Sequence, residues 1–148
     1  MYESISFKAL RFAQIVGWGE REGYMLATFL SRALKKEDLT VFGEGKGERD
    51  YLYAKDAANA IIAAIHKPKT KGVFNIGLGK GTSHRELAET INEVFENPNN
   101  IRFLHEYLED KSIQLMSIDK AKQMLNWEPH WTLKEALFDM KNILINDS

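Results

Sequence analysis

Three groups of residues in this sequence have types and spacings that could do chemistry. One is a tyrosine with a lysine four positions later, Tyr51 and Lys55, in which the ammonium group could lower the pKa of the phenol. The pair falls at a predicted strand-to-helix junction, where a spacing of four does not place both side chains on one face. We therefore interpret the pair as structural, and the sequence offers no catalytic residue.

The second group is a run of alternating glycines, Gly77, Gly79 and Gly81, between a predicted strand and a predicted helix. Backbone N–H groups at such a position can hold a phosphate. A dinucleotide-binding turn has the spacing G-x-G-x-x-G, however, and position 82 is a threonine. The spacing favours a tight turn over a cofactor site, so we assign no cofactor-binding residue.

The third group is a loop with three glycines, Gly43, Gly45 and Gly47, that ends at Arg49. Glycines allow the backbone to approach a ligand closely, and the planar, always charged guanidinium suits a diphosphate. A surface ion pair of Arg49 with the adjacent Asp50 is the more ordinary alternative. Taken alone, the loop favours the ion pair.

The elements that must position these groups follow from the hydrophobic periodicity. Strands are predicted over 7–16, 39–42, 50–53, 73–76, 101–104 and 113–116. Helices are predicted over 24–36, 55–67 and 83–95. A small helix capped by Ser117 or Asp119 is predicted to end at Leu125, and a last one follows Thr132. The spacings Ser83 to Glu86 and Thr132 to Glu135 predict two helix-capping boxes.

Strands that alternate with helices predict an α/β fold. The predicted helix 55–67 has an apolar stripe of Ala58, Ile61, Ile62 and Ile65. Only two strands fall in a regular rhythm with long helices, and two parallel strands alone make a poor sheet. The pattern therefore indicates an incomplete doubly wound domain.

Composition limits the classes of function. The chain has 148 residues, of which 44% are hydrophobic, enough to bury the core of one domain. Its formal charge of −1 gives no general attraction to nucleic acid or an anionic membrane, and no apolar run is long enough to span a bilayer. The absence of cysteine excludes disulfides and suits a cytoplasmic protein. The four histidines lack helical ligand spacing, so no metal site is expected.

Several segments, in order, resemble motifs of the NAD-dependent epimerase/dehydratase family, which is part of the extended short-chain dehydrogenases/reductases. They are LRFAQIVG (10–17), LTVFGEG (39–45), RDYLYAKDAANAI (49–61), VFNIGLGKGTS (73–83), DKA (119–121) and LNWEP (125–129). Each motif is modest alone, but the ordered set with matching intervals is specific. It covers most of residues 9 to 140.

The resemblance implies the last strands of a Rossmann-type doubly wound sheet, together with a small α/β C-terminal lobe that binds a nucleotide sugar. Residues 1–148 would be a single partial domain, the substrate-binding portion. The N-terminal NAD-binding part, with its glycine-rich turn and Tyr-x-x-x-Lys pair, would lie before Met1. The implied parent uses NAD and is similar to UDP-glucose 4-epimerase, whereas this chain alone would be inactive.

Six residues match family positions that contact the substrate. Arg49 matches the arginine at the diphosphate, and the segment Thr40, Val41 and Phe42 matches the strand beside the nucleobase. Tyr24 matches another contact, and Gln14 stands where the family usually has asparagine.

A further departure is the sequence Glu109-Asp110-Lys111-Ser112, where many family members have an arginine followed by Gly-Asp. An acidic side chain that faces a diphosphate would repel it. A non-catalytic binding or protein-interaction module derived from this fold is therefore the alternative. Unpaired strand edges would also allow a homo-oligomer or pairing with a missing N-terminal half.

Overall fold

Short strands alternate with helices throughout residues 7–21 and 23–146, the part of the chain that the computed structural model describes. The strands are β1 (Lys8–Phe12), β2 (Gln14–Val16), β3 (Leu39–Phe42), β4 (Glu48–Arg49), β5 (Tyr51–Tyr53), β6 (Gly72–Ile76), β7 (Thr82–Ser83), β8 (Ile101–Leu104) and β9 (Ile113–Gln114). The helices are α1 (Met25–Leu34), α2 (Ala54–Ile65), α3 (His84–Val94), α4 (Asp119–Leu125) and α5 (Leu133–Asn146). This arrangement confirms the predicted α/β class.

The predicted strand 7–16 is two strands, because the chain changes its pairing partner at Ala13. β1 runs parallel to β6, and the N–H of Ala13 still donates to the carbonyl of Ile76 at 2.8 Å. The N–H of Gln14 donates instead to the carbonyl of Asp50 at 3.1 Å, and β2 then runs parallel to β5. The chain therefore leaves one ladder and joins another within a single peptide.

Strand β5 separates two hydrophobic clusters, because successive side chains of a strand point to opposite faces. Tyr51 and Tyr53 are buried in a cluster with residues of α1, α3 and α5. Leu52 is buried in the other cluster, with residues of β6, α2 and α4. The strand is thus covered on both faces, as parallel strands in α/β proteins are.

Helix α2 packs against the core with a different face from the one that the spacing of its isoleucines predicted. Its buried residues are Asp56, Ala57, Ala60 and Ala64. Ile61, Ile62 and Ile65 are 47%, 50% and 67% exposed. Small alanine side chains let the helix axis lie close to the sheet, and the bulkier isoleucines are left on the outside.

The remaining strands form two smaller ladders. β3 pairs in parallel with β8, in a register that joins Leu39 to Ile101 and Phe42 to Leu104. β4 lies between β7, to which it is antiparallel, and β9, to which it is parallel. The two-residue strands β4 and β7 have no hydrophobic periodicity of their own, so the sequence did not predict their pairing.

The Thr132/Glu135 capping box is complete, whereas the Ser83/Glu86 pair forms one of the two expected bonds. The N–H of Glu86 donates to the Ser83 hydroxyl oxygen at 3.1 Å, at the start of α3. Before α5, the N–H of Thr132 donates to the Glu135 carboxylate at 2.8 Å, and the Glu135 N–H donates to the Thr132 hydroxyl at 3.3 Å. Within the described residues, no helix is both long enough and apolar enough to cross a membrane.

Candidate functional site

A cleft of about 450 Å³ opens where the chain passes from β1 to β2. Phe12, Ala13 and Gln14 line it on one side, Arg49 and Asp50 follow, and residues 113–116 close the other side. The carboxyl ends of the parallel strands β1 and β6 meet here, which is where open α/β sheets usually bind their ligands. The volume lies within the range of small-molecule sites.

Arg49 is fixed in the wall of this cleft by three partners. Its Nη1 donates to the carbonyl oxygens of Glu48 at 2.8 Å and Ser112 at 2.9 Å. Its Nη2 forms an ion pair with Asp110 at 2.5 Å, and its side chain is 16% exposed. The partner of Arg49 is therefore an acid 61 residues away, and not the adjacent Asp50.

Asp50 is a buried carboxylate that uses the backbone of the glycine turn 77–81. It is 3% exposed and accepts the N–H groups of Leu78 at 2.7 Å and Gly79 at 3.0 Å. Burial raises the pKa of Asp50, while these bonds and one from the Met116 N–H act in the opposite direction. A Cβ at Gly77 would meet the Asp50 carboxylate at 2.5 Å, so this position requires glycine.

The same contacts show that the turn does not fit a dinucleotide phosphate. The N–H groups of Leu78 and Gly79 that would face a phosphate already hold an internal carboxylate. In this structure the turn holds Asp50 in place. The turn follows β6, and its hydrogen bonds to Asp50 hold it beside the start of β5.

Gln14 reaches the cleft from the start of β2, and its side chain lies close enough to Glu20 to affect the pKa of that carboxyl. Burial raises the pKa of Glu20, although Gln14 and the Ala27 N–H partly offset that rise. Nearby, burial raises the pKa of Tyr51 to about 12, so its phenol stays protonated near neutral pH. The sequence did not single out Glu20, because only the fold brings it to Gln14.

The three predicted base-contacting residues of β3 do not line this cleft. Val41 is 1% exposed and packs in the core, and Thr40 accepts a hydrogen bond from Arg32 Nη1 at 3.0 Å. Phe42 is 53% exposed and stacks on Tyr107, with ring centroids 4.9 Å apart. β3 belongs to the β8 ladder, which explains why Phe42 and Arg49 do not share the cleft.

Tyr24 lies immediately before α1 and is 53% exposed. Its carbonyl accepts the N–H of Thr28, and its ring is not among the groups that line the cleft. Of the six predicted substrate contacts, the cleft therefore brings together Arg49 and Gln14. A role in binding for Tyr24 and for the residues of β3 stays a prediction.

The Tyr51/Lys55 spacing does not produce a functional pair. Lys55 Nζ donates to the Asp139 carboxylate at 2.6 Å, and the hydroxyl of Tyr53 donates to the same oxygen. Tyr51 is buried in the cluster of α1, α3 and α5. Burial, followed by the Asp139 carboxylate, raises the pKa of Tyr53.

His84 is the one histidine close to Arg49, and it is 7% exposed at the start of α3. Burial, together with the positive charge of Arg49, lowers its pKa, so it is neutral at physiological pH. Across residues 7–21 and 23–146, no three acidic or histidine side chains converge in a geometry that could hold a metal ion.

Comparison with known proteins identifies the family. A model of the NAD dependent epimerase/dehydratase family matches residues 1–77, just over half of the chain. This chain belongs to the NAD-dependent epimerase/dehydratase family.

Individual members of the family resemble the chain over most of its length. UDP-glucuronic acid decarboxylase 1 of Arabidopsis thaliana is 31% identical over 130 residues, which cover 85% of this chain and 30% of that protein. The crystal structure of UDP-N-acetylglucosamine 4-epimerase from Bacillus cereus matches with a TM-score of 0.85 at 33% identity, over 95% of this chain and 46% of that one. UDP-glucose 4-epimerase from Thermotoga maritima, solved with UDP-glucose, matches with a TM-score of 0.81 at 29% identity over the same shares.

The chain spans less than half the length of these relatives. The Rossmann-type fold expected from the sequence is confirmed to the extent that the epimerase structures superpose on nearly all of this chain.

Proposed function

We propose that this chain is the nucleotide-sugar-binding portion of an NAD-dependent epimerase/dehydratase, with a UDP-sugar 4-epimerase as the parent enzyme. The observation that carries the proposal is the cleft at Ala13, in which a fixed guanidinium and a side-chain amide face the same space. Arg49 is the diphosphate contact, because its guanidinium is always charged and its Nη2 can donate to a phosphate oxygen. Gln14 donates its amide to the sugar or to the phosphate.

The two carbonyl bonds of Arg49 make this role physically reasonable. They hold Nη1 in place, so the side chain loses little freedom when a ligand arrives. Nη2 exchanges Asp110 for a phosphate oxygen, which replaces one negative partner with another. The guanidinium therefore stays paired throughout binding.

NAD and the catalytic residues are assigned by this proposal to a part of the full-length enzyme outside these 148 residues. The glycine turn 77–81 cannot supply the phosphate site, since Asp50 occupies its N–H groups. The chain by itself would bind substrate without converting it. The order of the sequence motifs supports the proposal that the chain is the C-terminal portion of the enzyme.

Calorimetric titration of the chain with UDP-glucose and UDP-N-acetylglucosamine tests the proposal, with Arg49→Ala as the decisive variant. Loss of a buried charged hydrogen bond costs about 2 to 5 kcal/mol, so we expect affinity to fall by at least about thirtyfold. Arg102→Ala is the matched control, because that guanidinium pairs with Asp38 on the β8 edge, away from the cleft. Equal affinities of the two variants would contradict the assignment of Arg49.

A second candidate is a non-catalytic binding or interaction module, and the pairing of Arg49 with Asp110 favours it. Arg49 already has an anionic partner, so an anionic ligand has a competitor within the chain. A folded wild-type chain that gives no heat with any nucleotide sugar would support this candidate over the first.

A further inference from the structure

Two glycine turns hold an internal carboxylate on their backbone N–H groups, and the two carboxylates differ in exposure. Asp50 lies on the 77–81 turn and is almost completely buried. Glu109 lies on the 43–47 loop, where it accepts the N–H of Glu44 at 2.9 Å and the N–H of Lys46. Successive backbone N–H groups of this kind form a concave site for an anion.

The loop 43–47 fits closely around its carboxylate. A Cβ at Gly43 would overlap the Glu109 side chain, and a Cβ at Gly47 would overlap the carbonyl oxygen of Asp110. Gly43 also has a φ of +63°, a backbone conformation that favours glycine. The glycines therefore allow the segment 109–110 to lie directly on the loop.

The neighbouring acid holds the cation of the cleft at the same time. Asp110 pairs with Arg49 and accepts the N–H of Ser112 at 2.9 Å, while its side chain is 60% exposed. Lys111 and Lys46 are cations near Glu109, and Arg49 is the cation at Asp110. Two adjacent acids on one surface segment thus occupy the loop amides and the arginine.

Exposure decides which of the two carboxylates can leave. Release of Asp50 would open the buried junction of β5 and β6, whereas Glu109 is half-buried and Asp110 is exposed, so both can reach water when released. A phosphate oxygen can take over both the loop amides and the guanidinium without leaving either group unpaired.

We propose that Glu109 and Asp110 form an acidic strap, an internal anion that occupies the 43–47 loop and Arg49 until a diphosphate displaces it. The inference rests on the proposed function, because it takes Arg49 as the diphosphate contact. It adds a self-inhibitory segment and a second anion-binding element, the loop 43–47. The strap lowers the affinity of this site for anions. An anion that contacts Arg49 but not the loop amides does not displace the strap.

Pyrophosphate binding to Glu109→Gln tests the strap. Glutamine keeps the size of the side chain but removes the charge and presents an amide N–H₂ to the loop donors. We expect about tenfold tighter pyrophosphate binding than in the wild type, measured by calorimetry at low salt. Glu106→Gln is the matched control, since it removes the same charge from an exposed side chain of the same segment. Equal affinity of the two variants would overturn the proposal.

Hydrogen exchange of the loop amides is an independent test of the strap. In Glu109→Gln the N–H groups of Glu44 and Lys46 should exchange faster, and pyrophosphate should restore their protection. Glu106→Gln should leave both amides unchanged. Unchanged exchange in Glu109→Gln would overturn the strap, and Glu109→Ala gives the same comparison if the glutamine variant folds poorly.

The strap and the nucleotide-sugar assignment fail in different ways. Tighter pyrophosphate binding in Glu109→Gln, without binding of UDP-glucose by any variant, would support the strap and contradict the proposed function. Binding of UDP-glucose that depends on Arg49, with no difference between the two glutamine variants, would contradict the strap alone.

Discussion

Asp110 is a surface carboxylate that the fold holds ionised to unusually low pH. The N–H and hydroxyl of Ser112, followed by the Arg49 guanidinium, lower its pKa to about 2. The unfolded value is about 3.9. Because the pKa is depressed in the folded state, its contribution to stability is present above pH 4 and is lost as the pH falls through about 2.

Titration of the Asp110 carboxyl by NMR should therefore give a midpoint near pH 2 in the wild type. Arg49→Ala removes one of the groups that lower this pKa, so the midpoint should rise toward the ordinary value. The bonds from Ser112 would keep it below that value. Arg102→Ala should leave the midpoint unchanged, and a shift of equal size in both variants would show that Arg49 has no specific effect.

Single residues were predictable from the sequence where their own chemistry is distinctive. Arg49 follows a glycine loop and matches a family motif, so the sequence named it as a candidate, and the structure places it in the wall of the cleft. The role of Asp50 was not predictable, because the N–H groups it binds lie 28 and 29 residues further along the chain. The stacking of Phe42 on Tyr107 depends likewise on the β3–β8 pairing.

At the scale of elements, one buried acid connects α2 to the turn that precedes α5. Asp56 is fully buried in the first turn of α2. Its carboxylate accepts the N–H groups of His130 at 3.1 Å and Trp131 at 3.0 Å. The turn is distant from α2 in sequence, and the Asp56 carboxylate is the hydrogen-bond acceptor of its two backbone N–H groups.

Asp56→Ala should leave these two N–H groups without acceptors and lower the free energy of unfolding by about 2 to 4 kcal/mol. Urea denaturation measures the change. Glu128→Gln is the control, because that exposed carboxylate has an ion pair with Lys122 at 3.7 Å, and such pairs contribute less than about 1 kcal/mol. A loss below about 1 kcal/mol for Asp56→Ala would contradict the connecting role.

Elements with a strong local signal were predicted well. β3 has the predicted bounds, and α1, α2 and α3 differ by one or two residues at their ends. Helix α4 ends at the predicted Leu125, but Ile118 precedes its first turn in place of the predicted caps Ser117 or Asp119. The change of partner at Ala13 and the short strands β4 and β7 could not be predicted, because each depends on hydrogen bonds to a distant strand. The outward face of α2 was missed because isoleucine spacing alone does not show which side meets the sheet.

At the scale of the whole molecule, β5 is the element that both hydrophobic clusters share. Tyr51 and Tyr53 belong to one cluster and Leu52 to the other, so a change in this strand affects both helical layers. Leu52 is fully buried and pairs in register with Ile15 of β2. We expect the two clusters to unfold together.

Leu52→Ala removes a fully buried side chain and should destabilise the fold by about 2 to 5 kcal/mol. Unfolding followed by tryptophan fluorescence and by far-ultraviolet circular dichroism should still give coincident transitions. Ile65→Ala, at a position 67% exposed, should change stability by less than about 0.5 kcal/mol. Separate transitions in the wild type would show that β5 does not couple the clusters.

Gly47 has a consequence for how the site could change over evolution. Any side chain there would collide with the backbone oxygen of Asp110 and push the segment 109–110 away from the loop. An uncharged side chain there leaves the charge of the site unchanged. Under the proposed strap, its volume alone would change how often Arg49 is free of Asp110, and with it the affinity for an anion.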